Sequence, residues 1–410
     1  MDARKLTQLR KELTSFLDEV AGTLGHPRRR RWCDAYLRGV LLDGHRKSVE
    51  PMAARLKTIG QGGEDYEQAL QQFLNQSPWD EQELLDGLHP WIGDRFGRDG
   101  FLIIDDTGFP EQGEHSVGVA RQYTGTLGKV ASCQVAVTLQ FATAARVVAL
   151  DARLYLPEAW TGDRERLASA GVPDTVDYQP KWQMALAMIR RAVANGLTGV
   201  VLADSLFGTV TAFREQPAAD GRTYCVGIDS TLKVIAADAD LGPIPPHSGR
   251  GRPPTRPAKV RAGATSPSVK EWAVGHASDF RSVTWREGSK GKMTGRFAAW
   301  RVRPAHKRSA GKTPLAACWL LAEWPDGTAH PAKYFFSNLP ARTSLKRLVG
   351  TAKSRWWVGH SYREPKDELG LDHFEGRSWR GWNHHVVLVL LAYAFLQDVR
   401  RRRPQKVGTG

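Results

Sequence analysis

Two short apolar runs in this chain end in acid. The first is Gly100-Phe101-Leu102-Ile103-Ile104-Asp105-Asp106-Thr107. The second, about a hundred residues later, is Leu197-Thr198-Gly199-Val200-Val201-Leu202-Ala203-Asp204. An apolar run closed by an acid is the pattern of a buried strand with a carboxylate at its tip. Carboxylates on adjacent strand tips can hold Mg²⁺ or Mn²⁺, hard cations that prefer oxygen ligands. Two such ions, about 4 Å apart, activate a water and stabilise the leaving oxygen of a phosphodiester. Asp105 and Asp106 are strand neighbours and point to opposite faces, so only one enters such a site. The same aspartates could instead cap a loop or a helix start, and both readings stand on spacing alone.

The elements that must position these acids are legible in the hydrophobic spacing. Residues 1–95 predict a helical N-terminal domain, with apolar residues at three- and four-residue intervals through Leu6-Leu9-Leu13-Phe16 and Tyr66-Leu70-Phe73-Leu74. Four arginines, Arg28 to Arg31, precede a helical stretch from Trp32 to Leu42. Further strands are expected at Cys133–Leu139 and Ala145–Leu150, and a helix at Lys181–Asn195. Strand, helix, strand in this order argues for an α/β core, whose first part spans 96–214. Residues 215–345 read as a β-rich insertion of short strands, for example Val283-Thr284-Trp285 and Trp319-Leu320-Leu321, with a basic Pro/Gly/Arg linker from Pro245 to Arg261. Residues 346–410 read as a helical closing part of the core. The tail Arg400-Arg401-Arg402-Arg403-Pro404 is expected to fray.

The 410 residues carry 58 Lys and Arg against 43 Asp and Glu, a formal net charge of +15. A surplus of that size points to a polyanionic partner, nucleic acid before an anionic membrane. The four cysteines, Cys33, Cys133, Cys225 and Cys318, are too far apart for metal-ligand pairs and read as reduced, buried thiols. The charged, amphipathic N-terminus is not a signal peptide. The longest apolar stretch, Val386–Leu396, is far short of the roughly 20 residues that span a bilayer. The expectation is a cytoplasmic, nucleoid-associated protein with no membrane role, one that a homodimer would suit.

Several blocks together resemble the insertion-sequence DDE transposases. Ile104-Asp105-Asp106-Thr107-Gly108-Phe109-Pro110 with His115–Tyr123 is similar to that family's first catalytic block. Leu154-Tyr155-Leu156-Pro157 and Val201-Leu202-Ala203-Asp204 resemble the next two. Gly249–Pro254 and Phe297–Pro304 resemble parts of its insertion, and Leu369–Gly381 its C-terminal block. The blocks run in order from about residue 10 to 400. The resemblance implies an RNase H-like core, interrupted by a mostly β insertion and preceded by the helical domain. It also implies DNA strand cleavage and joining driven by two divalent ions, Mg²⁺ or Mn²⁺, on Asp, Asp and Glu. Carried over, the first two acids and metal ligands are Asp106 and Asp204. The DNA-binding residues it and the basic clusters point to are Arg28, Arg29, Arg30, Arg121, Arg250, Arg252, Arg355, Lys366 and Arg377.

The third acid departs from the pattern. In a Tyr, Arg, Glu, Lys signature with intervals of two, three and six residues, Arg355 and Lys366 fit, but the glutamate position is Gly359 and the tyrosine position Ala352. Glu364 and Glu368 are the nearest substitutes. On a regular helix they would point about 140° and about 180° away from residue 359, unless Pro365 kinks it. The turn Glu111-Gln112-Gly113-Glu114 is acidic where the family has lysines, and Ser205-Leu206-Phe207-Gly208 stands for Ala-Gly-Tyr-Gly. Two expectations follow: a transposase with impaired or residual activity, or a domesticated, non-transposing DNA-binding or regulatory protein that uses the old pocket otherwise. Three smaller features fill out the picture. Arg250-Gly251-Arg252-Pro253 resembles a minor-groove hook or a plain linker. His384-His385, with His373 and His360, reads as polar helix faces before metal ligands. Trp356, Trp357, Trp379 and Trp382 read as packing, with base stacking as the alternative.

Overall fold

The computed structural model describes residues 3–59, 65–144, 146–239, 246–251, 253, 266–288, 291–305, 316–356 and 363–402. The chain divides into two compact units, residues 1–199 with 356–410, and residues 200–355. The secondary structure is mixed α/β throughout, as the RNase H-like reading requires.

The first unit opens with five helices: α1 (Ala3–Val20), α2 (Pro27–Leu41), α3 (Val49–Ile59), α4 (Tyr66–Asn75) and α5 (Glu81–Phe96). Helix α2 starts earlier than its sequence suggests, because Pro27 fits the first helical position and His26 caps it, its ring accepting from Arg28 N–H. Arg28 to Arg31 are therefore the first turn of α2, not a knot ahead of it. Four strands follow: β1 (Asp99–Pro110), β2 (Ala120–Thr124), β3 (Lys129–Ala142) and β4 (Val147–Leu154). β3 pairs antiparallel with β1, β2 and β4. Short helices α6 (Glu158–Thr161) and α7 (Arg164–Ser169) lead to α8 (Lys181–Ala194). Leu102, Ile103 and Ile104 are all fully buried, so β1 is a central strand covered on both faces.

The C-terminal helix Trp379–Arg402 completes this unit, and Val386 to Leu391 on it are buried on every side. Fully burying each such side chain is worth roughly 1.5–3 kcal/mol, so this helix is core and not a polar-faced one. His384 and His385 are both 1% exposed and bond to backbone carbonyls, which corrects their reading as polar faces. The arginine tail is also more ordered than expected. Arg400 pairs with Glu364, Arg401 and Arg402 with Asp398, and Arg402 also with Glu12; residues 403–410 lie outside the described ones.

His385 gives a pH dependence. Its Nδ1 faces the Tyr36 hydroxyl at 2.7 Å and its Nε2 the Gly370 carbonyl at 3.0 Å, which suits a neutral ring that accepts from Tyr36 and donates to Gly370. Burial pushes its pKa down from 6.5 to about 4. The unfolded chain therefore binds more protons between these values, and stability falls as pH drops through that window. Between pH 6.5 and 5 we expect a loss of about 1.5 kcal/mol from His385. This is less than the full slope of about 1.4 kcal/mol per pH unit, because the unfolded ring is only half protonated at pH 6.5. His384, also pushed down to about 4 by burial, adds to it. Urea midpoints of the full chain at the two pH values test this, and a flat profile would show that the ring titrates normally.

The second unit begins within β5 (Thr198–Ala203) and continues with α9 (Ser205–Gly208), α10 (Thr211–Ala219), β6 (Tyr224–Ile228) and β7 (Val234–Ala236). After the helix Val269–Gly275 come β8 (Arg281–Gly288), β9 (Gly291–Pro304), β10 (Cys318–Glu323) and β11 (Lys333–Ser337), then the helix Leu345–Lys353. β5 and β6 are parallel, and β6, β11, β10 and β9 follow in antiparallel order, with β7 and β8 both on β9. The strand-rich texture read from the sequence is present. The linker Pro245–Arg261 is described only in part, as bends and irregular chain around Gly249 and Arg250.

Candidate active site

In the first unit, β1 carries the acid pair past its buried centre. Asp105 lies opposite Thr138 and Asp106 opposite Val137 on β3. The two side chains differ, as neighbouring strand residues must. Asp105 Oδ1 turns back to accept from the Asp106 backbone N–H at 3.0 Å. Asp106 Oδ2 accepts from Lys181 Nζ at 2.6 Å. Lys181 is the first residue of α8, and its ammonium also lies 5.2 Å from the centre of the Tyr155 ring. Nothing in the sequence pairs Lys181 with Asp106. The one signal is a lysine opening a helix that has no acid in its first turn, against the helix dipole.

The end of β1 is held by Lys366. Its Nζ donates to the Gly108 carbonyl at 2.8 Å and sits 4.8 Å from the Phe109 ring centre. Burial pushes its pKa down, opposed by Asp372 and Asp367. Lys366 is thus a strand anchor two residues from Asp106. The acidic turn that follows is partly internal: Glu111 is half-buried, which raises its pKa, and Arg166 donates to the Glu114 carbonyl at 3.0 Å.

Glu364, offered as a substitute acid, is engaged elsewhere. Its Oε2 accepts from Gln397 Nε2 at 2.9 Å and Arg400 Nη1 at 2.8 Å on the C-terminal helix. Glu368 is exposed, and Gly359 lies outside the described residues. The helical angle between residue 359 and these acids falls on residues 357–362, outside the described ones. Before them a helix ends at Lys353 and a 3-10 turn covers Ser354–Trp356, and after them comes the helix Arg363–Asp367.

In the second unit, Asp204 directly follows β5 and caps α9. Its Oδ1 accepts from Leu206 N–H at 3.0 Å, and its Oδ2 faces Arg355 Nη2 at 3.6 Å. Both readings of this acid hold together: it stands at a strand tip and it caps a helix. Gly227 on β6 makes the approach feasible, because a Cβ there would lie 3.1 Å from Ser205 N and 3.2 Å from Asp204 C. Arg355, expected among the DNA-binding residues, sits beside the second aspartate.

The other basic candidates divide. Arg28, Arg121, Arg250 and Arg377 are exposed. Arg29 reaches the Leu24 carbonyl at 3.4 Å, Arg30 pairs with Asp18, and Arg252 lies outside the described residues. Trp382 is 2% exposed and packs edge-on against Phe109, and Trp356 is 49% exposed. Trp379 lines a cavity of about 630 Å³ with Tyr178, Arg153 and Glu81. Trp357 and His360 lie outside the described residues, and the four cysteines are free and buried. Among the described residues, no three His, Cys, Asp or Glu side chains group as a metal site. No described helix is long and apolar enough to cross a membrane.

The family profile described as DDE superfamily endonuclease matches residues 19–292, a span that contains both Asp106 and Asp204. A protein from Microchaete diplosiphon described as a probable transposase for insertion sequence element IS701 is 34% identical over 172 residues. That alignment covers 42% of this chain and 41% of the relative, so the chain matches less than half of that protein's length. The chain belongs to the DDE superfamily of endonucleases.

Proposed function

We propose that this chain is a DDE-type transposase-family protein that binds DNA through phosphate contacts, and that its ancestral strand cleavage and transfer is impaired by the missing third acid. The observation that carries the reading is the pair of aspartates, Asp106 on β1 and Asp204 directly after β5, each with a cation beside it, Lys181 or Arg355.

Carboxylate oxygens are the donors that Mg²⁺ and Mn²⁺ take. In this reading Asp106 and Asp204 would hold one such ion, and a pair of acids would not complete a second. When bound, the ion supplies charge stabilisation at a phosphodiester oxygen. The chain's own residues do the rest. Lys366 fixes the end of β1, Arg355 offsets the charge of Asp204, and the exposed Arg28, Arg121, Arg250 and Arg377 meet phosphates. A domesticated, non-transposing DNA-binding protein is the second reading, favoured by the Glu111-Gln112-Gly113-Glu114 turn, which sets acid where phosphates are expected.

Gel-shift and cleavage assays on duplexes carrying the element's own ends, with Mn²⁺, test the proposal. DNA should be retained while cleavage stays near background. Robust cleavage by the wild type would overturn the impairment, and failure to retain DNA would overturn the DNA-binding reading itself.

A further inference from the structure

We propose that Lys181 is an electrostatic gate on the first carboxylate: it holds Asp106 in the metal-free protein and must leave Asp106 for a divalent ion to load. The inference rests on the reading of Asp106 as a metal ligand. Its starting point is the 2.6 Å contact between Lys181 Nζ and Asp106 Oδ2, the short distance of a charge-assisted hydrogen bond. The two side chains are only 21% and 24% exposed, so solvent screens the pair less than it would on an open surface.

The contact is poorly explained as helix stabilisation. Lys181 occupies the first position of α8, where backbone N–H groups carry the positive end of the dipole and an acid is preferred. Pro180 before it makes no side-chain cap, and the first turn contains no acid. A lysine here therefore costs the helix stability, and the ammonium is directed at Asp106 from across the fold. The Tyr155 ring also holds it, with its centre 5.2 Å from Nζ, a distance at which a ring face attracts a cation.

The ammonium lies on Oδ2, one of the two oxygens of the carboxylate that would hold the ion. A divalent cation and an ammonium at one carboxylate repel each other, so in this reading the ion loads as Lys181 swings away. Removing the ammonium should then tighten metal binding. A residue that only supported the local structure would have the opposite effect or none.

The test is a Mn²⁺ titration of the full chain, followed by the electron paramagnetic resonance signal of free Mn²⁺. Lys181→Met should bind Mn²⁺ about tenfold more tightly than wild type, the effect of removing one neighbouring positive charge from a partly solvated site. Lys181→Arg, which keeps the charge, should stay close to wild type. If the methionine variant does not fold, Lys181→Gln carries the same expectation. Asp106→Asn should lose the site. Unchanged or weaker Mn²⁺ binding in Lys181→Met, with binding lost in Asp106→Asn, overturns the gate and leaves the metal reading of Asp106 intact. Wild-type Mn²⁺ binding in Asp106→Asn overturns that reading and the gate with it.

Discussion

Affinity for duplex DNA is expected to fall about a hundredfold or more between about 50 and about 200 mM salt. The cause is counterion release: each neutralised phosphate contributes about 0.9 to the slope of log affinity against log salt. The net charge of +15 supplies the surplus that such contacts need, and exposure separates the basic candidates for them. Of nine basic candidates, Arg28, Arg121, Arg250 and Arg377 are exposed, whereas Arg29, Arg30, Arg355 and Lys366 each have a partner within the chain, Arg30 in a surface ion pair. Four contacts give a slope of about −3.6 and a loss of roughly 150-fold over this fourfold change in salt. All nine would give a slope of about −8 and a loss of roughly 10⁵. Fluorescence anisotropy of a labelled duplex at five or six salt concentrations separates these cases. A slope near zero sinks the DNA-binding reading. A slope near −8 would mean that Arg355 and Lys366 leave their partners on binding.

The contrast between those two groups of residues marks how far the sequence could be read. β1 was legible because Leu102, Ile103 and Ile104 form an unbroken apolar run, as a strand buried on both faces requires, but its end was not. The strand runs on past Asp105 and Asp106 through buried Thr107 and Phe109 to Pro110, so the acids lie within it and not at its tip. The start of α2 was obscured by Arg28–Arg31, although Pro27 carried the signal. His384 and His385 were misjudged because polar residue types suggest a polar face, whereas each ring finds backbone carbonyls inside the core. Lys181 and Lys366 were beyond reach for a different reason. Their partners, Asp106 and the Gly108 carbonyl, are distant in sequence and are chosen by packing. Local periodicity places a helix, but not the side chain its first residue will meet.

Replacing Gly359 with glutamate is expected to raise Mn²⁺-dependent strand cleavage by about 10²–10³. Loss of one metal ligand costs several kcal/mol of transition-state stabilisation, and each 1.36 kcal/mol is about tenfold in rate. The nearest natural acid is poorly free to help, since Glu364 Oε2 is bound by both Gln397 and Arg400. Recruiting it would strip two donors from a half-buried carboxylate and leave Arg400 without that partner. The measurement compares wild type, Gly359→Glu, and Gly359→Glu with Asp204→Ala on DNA carrying the element's own ends. The gain should appear in the single variant and vanish in the double one, because a third ligand is useless without the second. Wild-type cleavage that is strong and abolished by Glu364→Ala or Glu368→Ala would show that a relocated acid already serves. If Gly359→Glu stays silent while DNA binding and its salt dependence are intact, the missing ligand is not the only defect. The acidic Glu111-Gln112-Gly113-Glu114 turn would then be the next element to replace, with lysines, and the non-transposing DNA-binding protein would become the stronger reading.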